Sequence, residues 1–129
     1  MRKGKEIRVL LVEDEAITAL AMNMALENMG YITFEPVATG HKALERLPLD
    51  KPDVILMDIN LTSSMDGIET AHKIRTLGPT PIIFISGYSS NELMSRASAI
   101  DPVAIFVKPV RPQELHTAIE TAVKGIENS

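Results

Sequence analysis

The sequence predicts an α/β fold built on a doubly wound parallel sheet. Four short apolar runs, residues 7–12, 54–57, 82–85 and 103–107, have the length and composition of buried strands. Between the runs the apolar spacing changes to a helical period, so strands alternate with helices, and right-handed crossovers then put helices on both faces of the sheet. The chain has 129 residues, which suits one core and leaves little room for a second.

Each element has its own signal. Residues 7–12 form the first strand, and Ile17, Leu20, Ala21 and Met24 share the predicted buried face of the first helix, which Gly30 ends. Residues 31–37 alternate less cleanly and carry Glu35 and Pro36, which suits an edge strand. Ala43, Leu44 and Leu47 mark the second helix; Ile68, Ala71 and Ile74 mark the third, closed by Gly78-Pro79. Ser89 with Glu92 reads as a capping box opening the fourth helix, whose apolar face is Leu93, Ala97 and Ile100. Pro112 suits the first turn of the fifth helix, with Leu115, Ile119, Ala122 and Ile126 facing inward. Residues 1–129 read as a single domain with its core at about residues 7–124; the expected loose segments are Met1 to Lys5 and Glu127 to Ser129.

Composition narrows the function. Thirteen basic residues against seventeen acidic ones give a formal charge of −4, which offers no field for nucleic-acid phosphates. The absence of cysteine excludes disulfides and thiol chemistry and fits a reducing compartment. No apolar run approaches the roughly 20 residues of a membrane span, and Met1-Arg2-Lys3-Gly4-Lys5 lacks the apolar stretch of a signal peptide. A cytoplasmic protein that engages neither membrane nor nucleic acid is expected. His41, His72 and His116 fall on different helices and are expected to be solvated; the methionines, such as Met24 and Met57, are expected to fill the core.

In doubly wound folds, ligands sit beyond the carboxyl ends of the strands. There the sequence places Glu13-Asp14-Glu15 after the first strand, Asp58-Ile59-Asn60 after the third, Ser86-Gly87 after the fourth and Lys108-Pro109 after the fifth. Taken alone, the acid pair could cap a helix, Asp58 could be a turn residue and Lys108-Pro109 a plain loop. Together they gather acids, a hydroxyl and an ammonium on one rim, which calls for a hard divalent cation, Mg²⁺, to offset the repulsion.

These residues resemble the receiver domain of two-component response regulators. The likeness runs from Ile7 to about Lys124 and is carried by residues 9–15, 53–60, 65–69, 81–88 and 106–110, read as VLLVEDE, DVILMDIN, MDGIE, PIIFISGY and FVKPV. The resemblance implies a flavodoxin-like three-layer fold with strand order 2-1-3-4-5 and a cis Lys108-Pro109 peptide. Asp58 would be the phosphoacceptor; Glu13, Asp14, Asp58 and the Asn60 carbonyl would hold Mg²⁺, Glu13 through water; Ser86 and Lys108 would contact the phosphoryl oxygens. The chain would act as a phosphorylation-dependent switch rather than as an enzyme on other substrates. The donor would be a sensor histidine kinase or a histidine phosphotransfer protein. The downstream partner would bind the face of the fourth helix, fifth strand and fifth helix, where Arg96, Asp101, Arg111 and Glu114 are expected at the surface.

The sequence departs from the family pattern in places; Ser86 stands where Thr is commoner, which keeps the hydroxyl and drops a methyl. Ile105 stands where an aromatic residue is usual, and Phe106 faces the opposite side of the strand, which puts aromatic-flip signalling in doubt. Tyr88 could overhang the acyl phosphate and shield it from water, or simply cap its loop. Residues 61–64, Leu-Thr-Ser-Ser, replace the commoner proline-containing turn without removing a site group. Three other readings stay open. A flavodoxin-like nucleotide carrier needs glycines or hydroxyls where Glu13 to Glu15 stand. A phosphohydrolase of the haloacid-dehalogenase type needs an acid where Asn60 stands. A receiver-like module that only binds partners has no need of Asp58 and Lys108.

Overall fold

The computed structural model describes residues 6–88 and 90–127; the side chains of residues 126 and 127 are left aside. The elements follow one another as β1 (Arg8–Val12), α1 (Ala16–Asn28), β2 (Ile32–Thr33), α2 (Gly40–Asp50), β3 (Val54–Asp58), α3 (Gly67–Leu77), β4 (Ile82–Ser86), α4 (Asn91–Ser98), β5 (Ala104–Val107) and α5 (Pro112–Glu127). All five strands are parallel, in the order β2-β1-β3-β4-β5. The order reverses between β1 and β3, which is where a doubly wound sheet opens its ligand crevice.

The strands have a side-chain period of two, so one continuous apolar run serves two cores. Val9, Leu11, Val54, Leu56, Ile83 and Ile85 pack beneath α1 and α5 with Ala19, Leu26, Leu115 and Ile119. Leu10, Val12, Ile55, Met57, Ile82 and Phe84 pack on the other face against Ala43, Ile68, Ala71, Ile74 and Ala97 of α2, α3 and α4. Phe106 joins the first group and Ile105 the second, as strand alternation requires.

The structure corrects several sequence expectations. The face predicted to bury α1 is turned outward: Ile17 is 82% exposed, Leu20 63% and Met24 55%, and Ala21 is exposed as well. The helix is apolar almost all round, so its period does not select a face; Ala19, Met22, Leu26 and Met29 are the residues that meet the sheet. Met24 therefore fills no core, whereas Met57 does. The predicted second strand shrinks to Ile32–Thr33 plus a lone bridge between Val12 and Val37, because Pro36 has no N–H to continue a ladder. Ser90, and not Ser89, is the N-cap of α4, its side chain accepting from Leu93 N–H at 3.1 Å; Ser89 lies outside the described residues, as do residues 1–5, 128 and 129. The Ile126 side chain, predicted to face inward, also lies outside them. His116 is not merely solvated: its Nδ1 lies 2.7 Å from the Tyr31 hydroxyl, which donates to Glu120 Oε2 at 2.8 Å.

Candidate acidic site at the carboxyl edge

The site grows out of the strand ends. Beyond β1 the chain is held against the β2–α2 connection, since Val37 N–H donates to Leu11 O at 3.0 Å and Glu13 N–H donates to Val37 O at 2.9 Å. That pairing keeps Glu13 inside, at 4% exposure, while Asp14 reaches the rim. Asp58 is the last residue of β3 and is also 4% exposed. The chain turns at once behind it, with Asn60 N–H donating to Asp58 Oδ1 at 2.9 Å. Beyond β5, Lys108 N–H donates to Ser86 O at 2.8 Å, and the Lys108-Pro109 peptide is cis, as the resemblance implied.

These turns bring Glu13, Asp14 and Asp58 together, with one carboxylate oxygen of each within 4.8 Å of the others. The Lys108 ammonium completes the group, 2.9 Å from Glu13 Oε1 and 4.0 Å from Asp58 Oδ2. Like charges this close raise one another's proton affinity unless something offsets them. Burial pushes the Asp58 carboxyl up to about 6 and the Glu13 charge adds to this, against the lowering effects of the Asn60 N–H and Lys108. Burial also acts to raise Asp14, but the Thr62 hydroxyl and backbone N–H more than reverse it, and its carboxyl stays below the usual range. For Lys108, burial works against the charge, yet Glu13 and the Coulomb attraction of Asp58 leave the ammonium held more tightly than usual. All-oxygen donors without sulfur or imidazole fit a hard divalent cation.

The Asn60 side chain and the Ser86 hydroxyl are engaged with one another. The Asn60 side chain faces β4, where its Oδ1 accepts from Gly87 N–H at 2.9 Å and lies 3.0 Å from Ser86 Oγ. The Ser86 hydroxyl is fully buried, and its one proton is shared between that oxygen and the Tyr88 carbonyl. Glu13, Asp14, Asp58, Asn60 and Lys108 line an open depression of about 390 Å³ with Tyr88, which is 61% exposed, at its edge; Ser86 lies outside that lining. Sequence reasoning missed Thr62, whose backbone N–H and hydroxyl both donate to Asp14 Oδ2, at 2.9 and 2.7 Å. The only available signal was a hydroxyl-rich loop in place of a proline turn.

A flavodoxin-like sheet with an acid cluster and a lysine at its carboxyl edge defines a class of small α/β signalling modules. The chain belongs to the response regulator receiver domain family, whose model matches residues 9–120. It is 34% identical over 116 residues to the transcriptional regulatory protein PdtaR of Mycobacterium tuberculosis, covering 90% of this chain and 56% of that protein. The chain thus spans little more than half the length of that relative. It is 25% identical to sporulation initiation phosphotransferase F of Bacillus subtilis over 114 residues, covering 88% of this chain and 90% of that one. Among solved structures, the signal receiver domain of a modulated diguanylate cyclase from Desulfovibrio desulfuricans G20 superposes with a TM-score of 0.87 at 34% identity, covering 93% of this chain and 95% of that chain. Receiver domains are the signalling switches of two-component systems.

Proposed function

We propose that residues 7–124 act as one phosphoacceptor unit in which Asp58 takes a phosphoryl group from a phosphohistidine of a sensor kinase or phosphotransfer protein. The observation that carries this reading is the placement of Asp58: at the end of a buried strand, its carboxylate beside two further acids and 4.0 Å from the Lys108 ammonium. Phosphoryl transfer passes through a loose, highly charged transition state, so an acceptor supplies an in-line nucleophile and countercharge. An Asp58 oxygen forms the new O–P bond as the P–N bond to the imidazole breaks; the electron pair stays on that nitrogen, which then takes up a proton. Lys108 neutralises charge on the transferring oxygens, exchanging part of its contact with Glu13 for them. Mg²⁺, held by Glu13, Asp14, Asp58 and the Asn60 carbonyl, would offset the remaining negative charge when bound.

The aspartyl phosphate then competes for the Ser86 hydroxyl. Because that hydroxyl sits buried and engaged with Asn60 and Tyr88, reaching the phosphoryl group means leaving them, and the β4–α4 loop is displaced with it. A downstream partner would read this change on the face of α4, β5 and α5, where Asp101, Arg111 and Glu114 are exposed; Arg96 is exposed too, but its guanidinium reaches Asp66 at the start of α3 at 3.3 Å. Ile105 offers no ring to flip, so movement of the loop and α4 carries the signal. The chain acts as a switch of its own phosphorylation state and not as an enzyme on other substrates. A cytoplasmic setting fits a kinase donor and the finding that, among the described residues, no helix is long and apolar enough to cross a membrane.

Incubation with Mg²⁺ and acetyl phosphate, followed by intact mass measurement, should add one phosphoryl group to the wild type and none to Asp58→Asn. Absence of any adduct on the wild type at saturating donor would overturn the reading.

A further inference from the structure

Thr62 and Asp14 lie 48 residues apart, yet two donors of Thr62 converge on one Asp14 oxygen, the backbone N–H at 2.9 Å and the hydroxyl at 2.7 Å. The loop that carries Thr62 has little freedom of its own. Leu61 before it and Met65 after it are buried, at 6% and 5% exposure, and Ser63 Oγ donates to Met65 O at 3.2 Å. Beyond Met65 the chain enters α3 through a capping box made by Asp66 and Glu69. Thr62 is therefore an anchored donor pair, although its own side chain is exposed. Asp14 is the opposite case: of the three clustered acids it is the one that is not buried. An exposed carboxylate without such partners samples several rotamers, and holding it for a cation costs conformational entropy.

We infer that Thr62 is a positioning residue for the divalent cation, fixing the Asp14 carboxylate in the orientation that joins Glu13 and Asp58. Hydrogen bonds that orient metal ligands in this way commonly change affinity by about 10–100-fold when removed. This inference rests on reading the cluster as a magnesium site. It adds that the loop between β3 and α3, expected to differ in shape without removing a site group, helps set the affinity of that site.

The test is calorimetric titration of the full chain with MgCl₂, for wild type, Thr62→Val and Thr62→Ser, each first shown to fold by far-ultraviolet circular dichroism. Valine keeps the shape and removes the hydroxyl; serine restores it. We expect Thr62→Val to weaken Mg²⁺ binding on the order of 10-fold and Thr62→Ser to recover most of the loss. Unchanged or tighter binding by Thr62→Val, or serine binding as poorly as valine, would leave Thr62 a mere tie between loops and overturn the inference. Should the valine variant not fold, Thr62→Ala decides by the same criterion. A wild type that takes up no Mg²⁺ would remove the magnesium reading itself, an outcome distinct from a wild type and variant that bind alike.

Discussion

At the scale of single residues, Asp58 sets a pH dependence whose sign follows from its surroundings. Its carboxyl is pushed up to about 6 from an ordinary value of 3.8, so the folded chain holds this proton more tightly than the unfolded chain does. Between about pH 4 and 6 the contribution of this group to stability falls as pH rises, and above that window the full penalty of the buried charge remains. A shift of that size corresponds to about 3 kcal/mol before solvent at the open rim screens it. Discounted to about 1 kcal/mol for screening and relaxation, this penalty should be relieved by Asp58→Asn, which in metal-free buffer at pH 7 should raise Tm by roughly 3–6 °C in a thermal melt and flatten the slope between pH 4 and 6. Gly67 makes a second prediction. A Cβ built there would stand 2.1 Å from the backbone carbonyl oxygen of Asp58, and backbone cannot step aside as a side chain can. Gly67→Ala should cost about 1–3 kcal/mol in urea unfolding and slow phosphorylation of Asp58, because it presses on the residue that must stay in line.

At the scale of elements, legibility depended on how much contrast a segment carries between its faces. β3 and β4 were plain as unbroken apolar runs, and α2, α3 and α4 were plain because polar residues mark their outer faces. In α1 the sequence AITALAMNMALEN offers apolar side chains in every direction, so only the position of the sheet decides that Leu26 is buried and Ile17 exposed. Leu26→Ala should accordingly cost about 2–5 kcal/mol, while Ile17→Ser should stay within about 0.5 kcal/mol, both read by urea denaturation. β2 failed for a different reason: its pairing stops at Ile32–Thr33 because Pro36 cannot continue the ladder, and Tyr31 just before it is bonded to Glu120 and to His116, 85 residues away. No local pattern announces such a tie. Tyr31→Phe keeps the buried ring and loses these bonds, for an expected cost of about 1 kcal/mol measured in the same way.

At the scale of the whole molecule, the candidate site was legible because topology does most of the work. Once strands and helices alternate, the residues that follow each strand must share one edge of the sheet, and Glu13, Asp14, Asp58 and Lys108 were found together there. What topology does not specify is the pairing within the group. Lys108 lies closer to Glu13 than to Asp58, Asn60 turns its side chain toward Ser86, and Thr62 reaches Asp14, all through loop geometry that sequence spacing leaves open. Because the cluster draws its members from opposite ends of the chain, a cation bound there stabilises the entire fold. MgCl₂ at about 100 times its dissociation constant should add about 2.7 kcal/mol to the unfolding free energy of the wild type. Most of that gain should vanish in Asp14→Asn, as urea titrations with and without EDTA would reveal.

The contact between Lys108 and Glu13 carries a consequence for ion selectivity. The clustered carboxylates of Glu13, Asp14 and Asp58 against the Lys108 ammonium carry a net charge of −2, and Glu15 on the same rim adds to the negative charge. A divalent ion offsets more of that charge than sodium or potassium can. Charge alone therefore favours the ion of higher valence, and replacing the lysine with a neutral residue would leave one more negative charge for that ion to offset.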